Sequence, residues 1–263
     1  MANQVSLMTY LQQALPAIPT NQPPNPGHNT TNTLYGAADI NNIGRWNNFN
    51  LTTVLQRYQN VLFQAHLPSD PMPISPPRAI TAENALRSKL SEYLLPRVRR
   101  GLRAGFGYLA ANGQMSGITA LSFDVGEYAE IIDGFKPDTA YFVVSLPEGS
   151  GPNRAPGDIK PSWKWNTAMA THPVAGVRNE YRQALSQVNW YMKQHRSRYG
   201  FLGTDREFVV FRRLDDDGNL ELAEPIPFTA GGTDAQPQMT VSLALWYLGM
   251  LAAKDQGDEC WFI

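Results

Sequence analysis

The run Val241 to Ala253 (VSLALWYLGMLAA) carries no charge, and its only polar side chains are Ser242 and Tyr247. It is too short to cross a bilayer, which takes about 20 apolar residues. It therefore reads as a helix buried in a folded core, with the rest of the chain arranged around it.

Upstream of that helix, helical and strand-like patterns alternate. Thr81 is placed to cap a helix running to about Arg103, with Leu86, Leu90, Leu94, Val98 and Leu102 at helical spacing. Pro96 is expected to kink or split it. Strand-like runs follow at 118–125, 129–133 and 139–146. A loop (EGSGPNRA) and a short strand at 157–161 lead into a helix over about 179–198. Strands at 201–204, 207–213 and 220–222 come next, the last two joined by an Asp216-Asp217-Gly218-Asn219 turn. The order α-β-β-β-α-β-β(-β)-α implies an α/β protein, a mixed central sheet flanked by helices.

Residues 1–80 read as an N-terminal extension packed on a core domain spanning 81–263. A short helix is expected at 5–15, then a proline- and asparagine-rich linker or strap at 16–26. Asn50 opens a second helix through His66, with Leu51, Val54, Leu55, Tyr58 and Leu62 on one stripe, and the prolines of 68–77 end it. The formal net charge of −1 excludes a generic polycation, so nucleic-acid binding would need a local basic surface. With Cys260 the only cysteine, neither an intramolecular disulfide nor a cysteine-based zinc site can form. The lone thiol and a start (Met1-Ala2-Asn3-Gln4) without a basic or apolar leader lead us to expect an intracellular protein of the nucleus or cytoplasm, not a secreted one.

The chemistry is concentrated in one stretch. Asp138 follows Pro137; then comes Asp158-Ile159-Lys160, and a helix carrying Gln187 and Tyr191. Carboxylates at the ends of adjacent strands can bind Mg²⁺, a hard ion that prefers oxygen ligands. Lys160 lies two residues from Asp158, so both side chains leave the same face of a strand. From there an ammonium can stabilise charge building on a phosphate. Gln187 and Tyr191, four apart on a helix, share a face, and Gln183 extends it.

In that order, across β-β-β-α, these residues resemble the PD-(D/E)XK nuclease superfamily, and most of all its uncharacterised fungal members. The segments GDIKPSWKW and EYRQALSQVNWYMKQHRSRYGFLGTDREFVVFRR strengthen the likeness, which covers about residues 80 to 255. The resemblance implies a restriction-endonuclease-like fold and a nuclease cutting DNA or RNA with Mg²⁺ or Mn²⁺. It further implies Asp138 and Asp158 as metal ligands, Lys160 as charged assistant, and Gln187 and Tyr191 lining the site. Members often add a glutamate from the first core helix. At about 100° per residue, Glu83 falls roughly 20° from Leu90 and faces the sheet, whereas Glu92 falls roughly 160° away. Glu83 is therefore the expected third ligand.

Two further functions fit the same residues. The fold can persist as a binding module without turnover, its groove covered by the N-terminal extension. Alternatively, the acids and lysine can serve acid–base chemistry on a small molecule, with Trp163, Trp165, Trp190 and Tyr191 shaping a pocket. Basic clusters at Arg97, Arg99, Arg100 and Arg103, and at Lys193, His195, Arg196 and Arg198, can follow phosphates or complement helix C-termini. Trp163-Lys164-Trp165 can stack on bases or close the core. Asp215 to Asn219 opens like a calcium loop but lacks the distal glutamate, so a hairpin turn is expected.

Overall fold

The structure is a computed structural model that describes residues 3–73 and 77–263. Met1-Ala2 and part of the proline-rich 68–77 stretch, read above, lie outside the described residues. The strands are β1 (Gln4–Ser6), β2 (Asn42–Arg45), β3 (His66–Pro68), β4 (Leu121–Val125), β5 (Thr139–Val143), β6 (Gly157–Ile159), β7 (Tyr199–Gly203), β8 (Glu207–Arg213), β9 (Asn219–Leu222) and β10 (Ile226–Pro227). The α-helices are α1 (Leu7–Leu11), α2 (Leu51–Gln64), α3 (Glu83–Ala111), α4 (Ala175–Gln194) and α5 (Val241–Ala252).

The apolar C-terminal run is α5, and every one of its residues is buried. Thr240 caps it: its hydroxyl accepts from Leu243 N and donates to Leu11 O at 2.6 Å. α3 packs beside it, and Trp246 Nε1 donates to Gly101 O at 3.1 Å. Together α3, α5 and the N-terminal α1 and α2 cover one face of the sheet through a single large apolar cluster. A second cluster (Trp165, Tyr181, Leu185, Val188, Leu202, Val209 and Phe211 among it) seats α4 on the opposite face. Each large apolar side chain buried in these clusters contributes about 1.5–3 kcal/mol.

The eight-stranded sheet runs β2-β9-β8-β7-β6-β5-β4, with β10 also paired to β8. It is mixed: β2–β9 and β6–β7 are parallel and the other pairs antiparallel. β1 and β3 make a separate antiparallel ribbon. The chain is therefore an α/β protein with helices on both faces of a mixed sheet.

Several expected boundaries move, for identifiable reasons. α3 starts at Glu83 behind Ala82, not behind a Thr81 cap, and it continues through Pro96 to Ala111. The proline is exposed, and the apolar stripe extends beyond Leu102 to Phe106 and Leu109, so docking holds the helix together. The non-helical residue falls in α2 instead, at Tyr58 (φ −131°, ψ 16°). No strand forms at 129–133. Asp133 (φ 52°) and Gly134 (φ 75°) turn the chain there into an isolated Ile132–Phe135 bridge. The first helix is shorter than expected, because residues 4–6 pair as β1. The extension also supplies β2, which pairs with β9 in the main sheet. The β8–β9 turn is as expected: Asp215 Oδ1 accepts from Asp217 N and Asn219 N. Gly218 (φ +80°) is required there, since a Cβ would lie 1.8 Å from Asp39 O.

Candidate active site

The site is assembled where β6 ends. Gly157 opens that strand because the Phe201 ring of β7 fills its side-chain space; a Cβ would lie 2.0 Å from the ring. Asp158 and Lys160 follow on one face, with Lys160 Nζ 2.6 Å from Asp158 Oδ2. Both residues are 1% exposed. Asp138, which immediately precedes β5, accepts a hydrogen bond from Ile159 N at 2.8 Å through Oδ2. The same oxygen lies 3.0 Å from Arg87 Nε.

Glu83 reaches this cluster from the first turn of α3. Its Oε1 lies 3.6 Å from Lys160 Nζ and its Oε2 3.2 Å from Lys164 Nζ, and it also pairs with Arg87. Glu92 instead pairs with Lys89 at the surface, at 2.8 Å. The carboxylates of Glu83, Asp138 and Asp158 are thus interleaved with the cations of Arg87, Lys160 and Lys164. Sequence reasoning missed Arg87, and it placed Lys164 only within the Trp163-Lys164-Trp165 segment that could stack on bases or close the core. The i, i+4 spacing of Glu83 and Arg87 was the signal for the first.

This arrangement divides the charges unevenly. Burial, and then the charge of Asp158, push the Asp138 carboxyl well above its ordinary value, against the pull of Arg87. Burial also raises Glu83, but Lys160, Arg87 and Lys164 outweigh it and leave the carboxyl below the usual range. For Lys160, burial favours the neutral amine, yet Asp158 and Glu83 hold the ammonium above its ordinary value. At neutral pH Lys160 is therefore a cation and not a base.

On the α4 side, Gln187 Nε2 donates to the Tyr191 hydroxyl at 2.9 Å. Burial, followed by the charge of Asp158, raises the Tyr191 phenol, which places it beside the cluster as a neutral group. Gln187 Oε1 is buried without a hydrogen-bond partner. Gln183 does different work. Its Oε1 accepts from Ala37 N at 3.0 Å and its Nε2 donates to Thr30 O at 2.9 Å. Glu180 adds further anchors, accepting from Asn29 N at 2.8 Å and lying 2.8 Å from His28 Nδ1. Residues 28–37 are thereby strapped along α4. Within the strap, Tyr35 is 4% exposed. Its phenol is raised by burial, then by the charge of Asp158, against the pull of Lys160, so Tyr35 lies in the neighbourhood of the acid–lysine pair.

Asp138 and Asp158 are hard oxygen donors suited to a divalent cation. Asp158 Oδ2 receives no aligned hydrogen bond, and burial, then the charge of Asp158, raises the Asp138 carboxyl. A cation between them relieves both conditions. Among the described residues no three His, Cys, Asp or Glu side chains form a ready ligand set; Glu83, the expected third ligand, pairs with Lys160, Lys164 and Arg87. A two-carboxylate site suits Mg²⁺, which keeps several waters and takes phosphate oxygens as further ligands.

The other basic residues are mostly committed to structure. Arg97 is 3% exposed and donates to Tyr10 O at 3.0 Å and to Asp70 O. Arg99 pairs with Asp124 and Arg100 with Asp70, each at 2.7 Å. His195 is buried, which lowers its imidazole to about 4, and its Nδ1 accepts from Asn153 N. Arg198 donates to Cys260 O and Phe262 O. Trp165 closes the core, stacked on Tyr181 at 5.6 Å. No helix among the described residues is long and apolar enough to cross a membrane. Comparisons with family models, with curated proteins and with solved structures return no match.

Proposed function

We propose that this protein is a Mg²⁺- or Mn²⁺-dependent nuclease of the PD-(D/E)XK type, hydrolysing nucleic-acid phosphodiesters on a restriction-endonuclease-like sheet. The observation that carries the reading is the meeting of Asp138, Asp158 and Lys160 at the end of β6, with Glu83 behind them. Asp138 and Asp158 would hold the ion, which when bound neutralises phosphate charge and lowers the pKa of a water. Lys160, kept protonated by Asp158 and Glu83, supplies a fixed positive charge at the phosphate. Arg87 and Lys164 hold Glu83 and Asp138 in place. Gln187 and Tyr191 back the site with neutral hydrogen-bonding groups. The test is cleavage of DNA and of RNA, single- and double-stranded, with each metal. Lys160→Ala and Asp158→Asn should each abolish it, and intact nucleic acid in every wild-type reaction would sink the reading.

A second reading draws on the strap: the same fold binds a partner without cleaving it. Asp158 and Lys160 are buried and residues 28–37 are tied to α4, so a duplex reaches the pair only after a rearrangement such as the lifting of that segment. Calorimetric titration with Mg²⁺ separates the two. An affinity that is lost in Asp138→Asn supports the nuclease; no heat from the wild type supports the binding module.

A further inference from the structure

An open groove begins beside the acid–lysine pair. Glu83 links the two, with Oε1 3.6 Å from Lys160 Nζ and Oε2 3.2 Å from Lys164 Nζ. Lys164 in turn lines a groove of ≈ 590 Å³, bounded by residues 163–172, the first turns of α4 and the start of the strap at Gly27 and His28. That volume falls within the range of clefts that hold a ligand, about 300–1,000 Å³.

Three observations define what the groove takes. Half-buried Trp163 and Met169 supply an apolar wall. Trp165 is stacked on Tyr181, whereas Trp163 has no aromatic ring against it among the described residues, so its indole is open to another ring. The one carboxylate lining the groove is already matched: Glu180 lies 2.8 Å from His28 Nδ1 and accepts from Asn29 N at 2.8 Å. A cation at the end of the groove is not. Arg178 is exposed and donates only through Nη1, to the carbonyl of groove-lining His172 at 2.6 Å and to Pro173 O at 2.8 Å. It joins no ion pair among the described residues, and its Nη2 is left for an anion. An aromatic surface for a base, with an unmatched cation for a phosphate, is the chemistry that holds single strands. A duplex keeps its bases stacked on one another and offers none to Trp163. We propose that this groove binds a single-stranded nucleic acid, one base stacked on Trp163 and a phosphate on Arg178, and leads it to the acid–lysine cluster. The inference rests on the nuclease reading for what happens to the chain at Lys160, while the binding itself needs no metal.

The experiment is fluorescence anisotropy of the full chain with labelled oligothymidylate and oligouridylate, without metal so that nothing is cut, beside an abasic oligonucleotide and a duplex of the same length. At least one base-bearing single strand should bind saturably, and more tightly than the abasic strand and the duplex. Trp163→Leu keeps apolar packing and removes the ring. It should weaken the base-bearing strand by about 5- to 150-fold, the worth of one base stacked on an aromatic side chain, and leave the abasic strand unchanged. Arg178→Ala should weaken both alike and lower the slope of log affinity against log salt by about 0.7, the share of one phosphate. Asn179→Glu sets a carboxylate on the exposed groove wall and should weaken both strands several-fold, which keeps the test open should Trp163→Leu fail to fold. The proposal is overturned by absence of single-strand binding, by a duplex or abasic strand binding as tightly, or by unimpaired binding in the folded variants. Single-strand binding by a protein that cleaves nothing upholds the groove and sinks the nuclease; cleavage of duplexes without single-strand binding does the reverse.

Discussion

Replacing Lys160 with methionine removes a cation that is 1% exposed and leaves Asp158, also 1% exposed, without its partner. At an effective dielectric of about 20, unit charges at the observed 2.6 Å attract by about 6 kcal/mol. Glu83 at 3.6 Å adds about 4.6 kcal/mol by the same rule. The desolvation of both ions opposes these gains, so the net value of the pair is small, but breaking it by removing one partner costs about 3–5 kcal/mol. A chain of 263 residues unfolds with an entropy near 0.55 kcal/mol per degree, from about 2.1 cal/mol/K per residue. Lys160→Met should therefore lower Tm by about 5 to 9 °C. Adding Asp158→Asn removes the orphaned charge, so the double variant should recover most of that loss. The assay is a double-mutant cycle by calorimetric or denaturant unfolding at neutral pH, with the two variants alone and combined. A Lys160→Met loss below about 1 kcal/mol, or losses that simply add in the double variant, would refute a buried, mutually dependent pair.

The remaining predictions concern the site's surroundings. Because burial and Asp158 raise Asp138, its contribution to stability is present below the unfolded carboxyl value of about 3.9 and is lost as pH rises through the folded value. Asp138→Asn should then match the wild type in acid and gain in Tm relative to it as pH rises toward neutral. A gap that closes over that interval would count against the assignment. Gly157→Ala places a methyl into the Phe201 ring and should cost about 1–3 kcal/mol, or about 2 to 5 °C in Tm; an unchanged melt would mean the ring lies elsewhere. Gln183→Leu removes both hydrogen bonds that hold the strap at Thr30 and Ala37. Labelling of Lys160 by an amine reagent, followed by mass spectrometry, should accelerate several-fold, and an unaltered rate would show that the strap does not control access.

Features with a local signature were legible in the sequence. α5 announced itself by an unbroken apolar run, β8 by its apolar and β-branched residues, and the β8–β9 turn by Asp215 to Gly218. The grouping of Asp138, Asp158 and Lys160 followed from their places at strand ends. What was not legible depends on partners distant in sequence. β2 (NIGR) has one large apolar residue, and its pairing with β9 leaves no local trace. Residues 129–133 carry the β-branched pair Ile131-Ile132 and read like a strand, but the left-handed Asp133 and Gly134 decide otherwise. Tyr35 is buried beside Phe135 and within reach of the Asp158 charge, and nothing in residues 28–37 alone encodes those neighbours. The basic run at 97–100 read as a helix-end cluster following phosphates or complementing the dipole, because α3's continuation to Ala111 and the carbonyl and carboxylate partners Tyr10, Asp70 and Asp124 leave no local trace.

The placement of β2 also orders events in time. Its partner β9 begins 177 positions later (219 − 42), so the earliest member of the main sheet cannot pair until the chain has been synthesised past Leu222. The strap beside it likewise has nothing to grip until α4 exists. Contacts of such separation are made late, after local structure has formed. The acid–lysine cluster and the strap therefore mature separately: Asp138, Asp158 and Lys160 can come together before residues 28–37, which left the ribosome ahead of them, dock on α4.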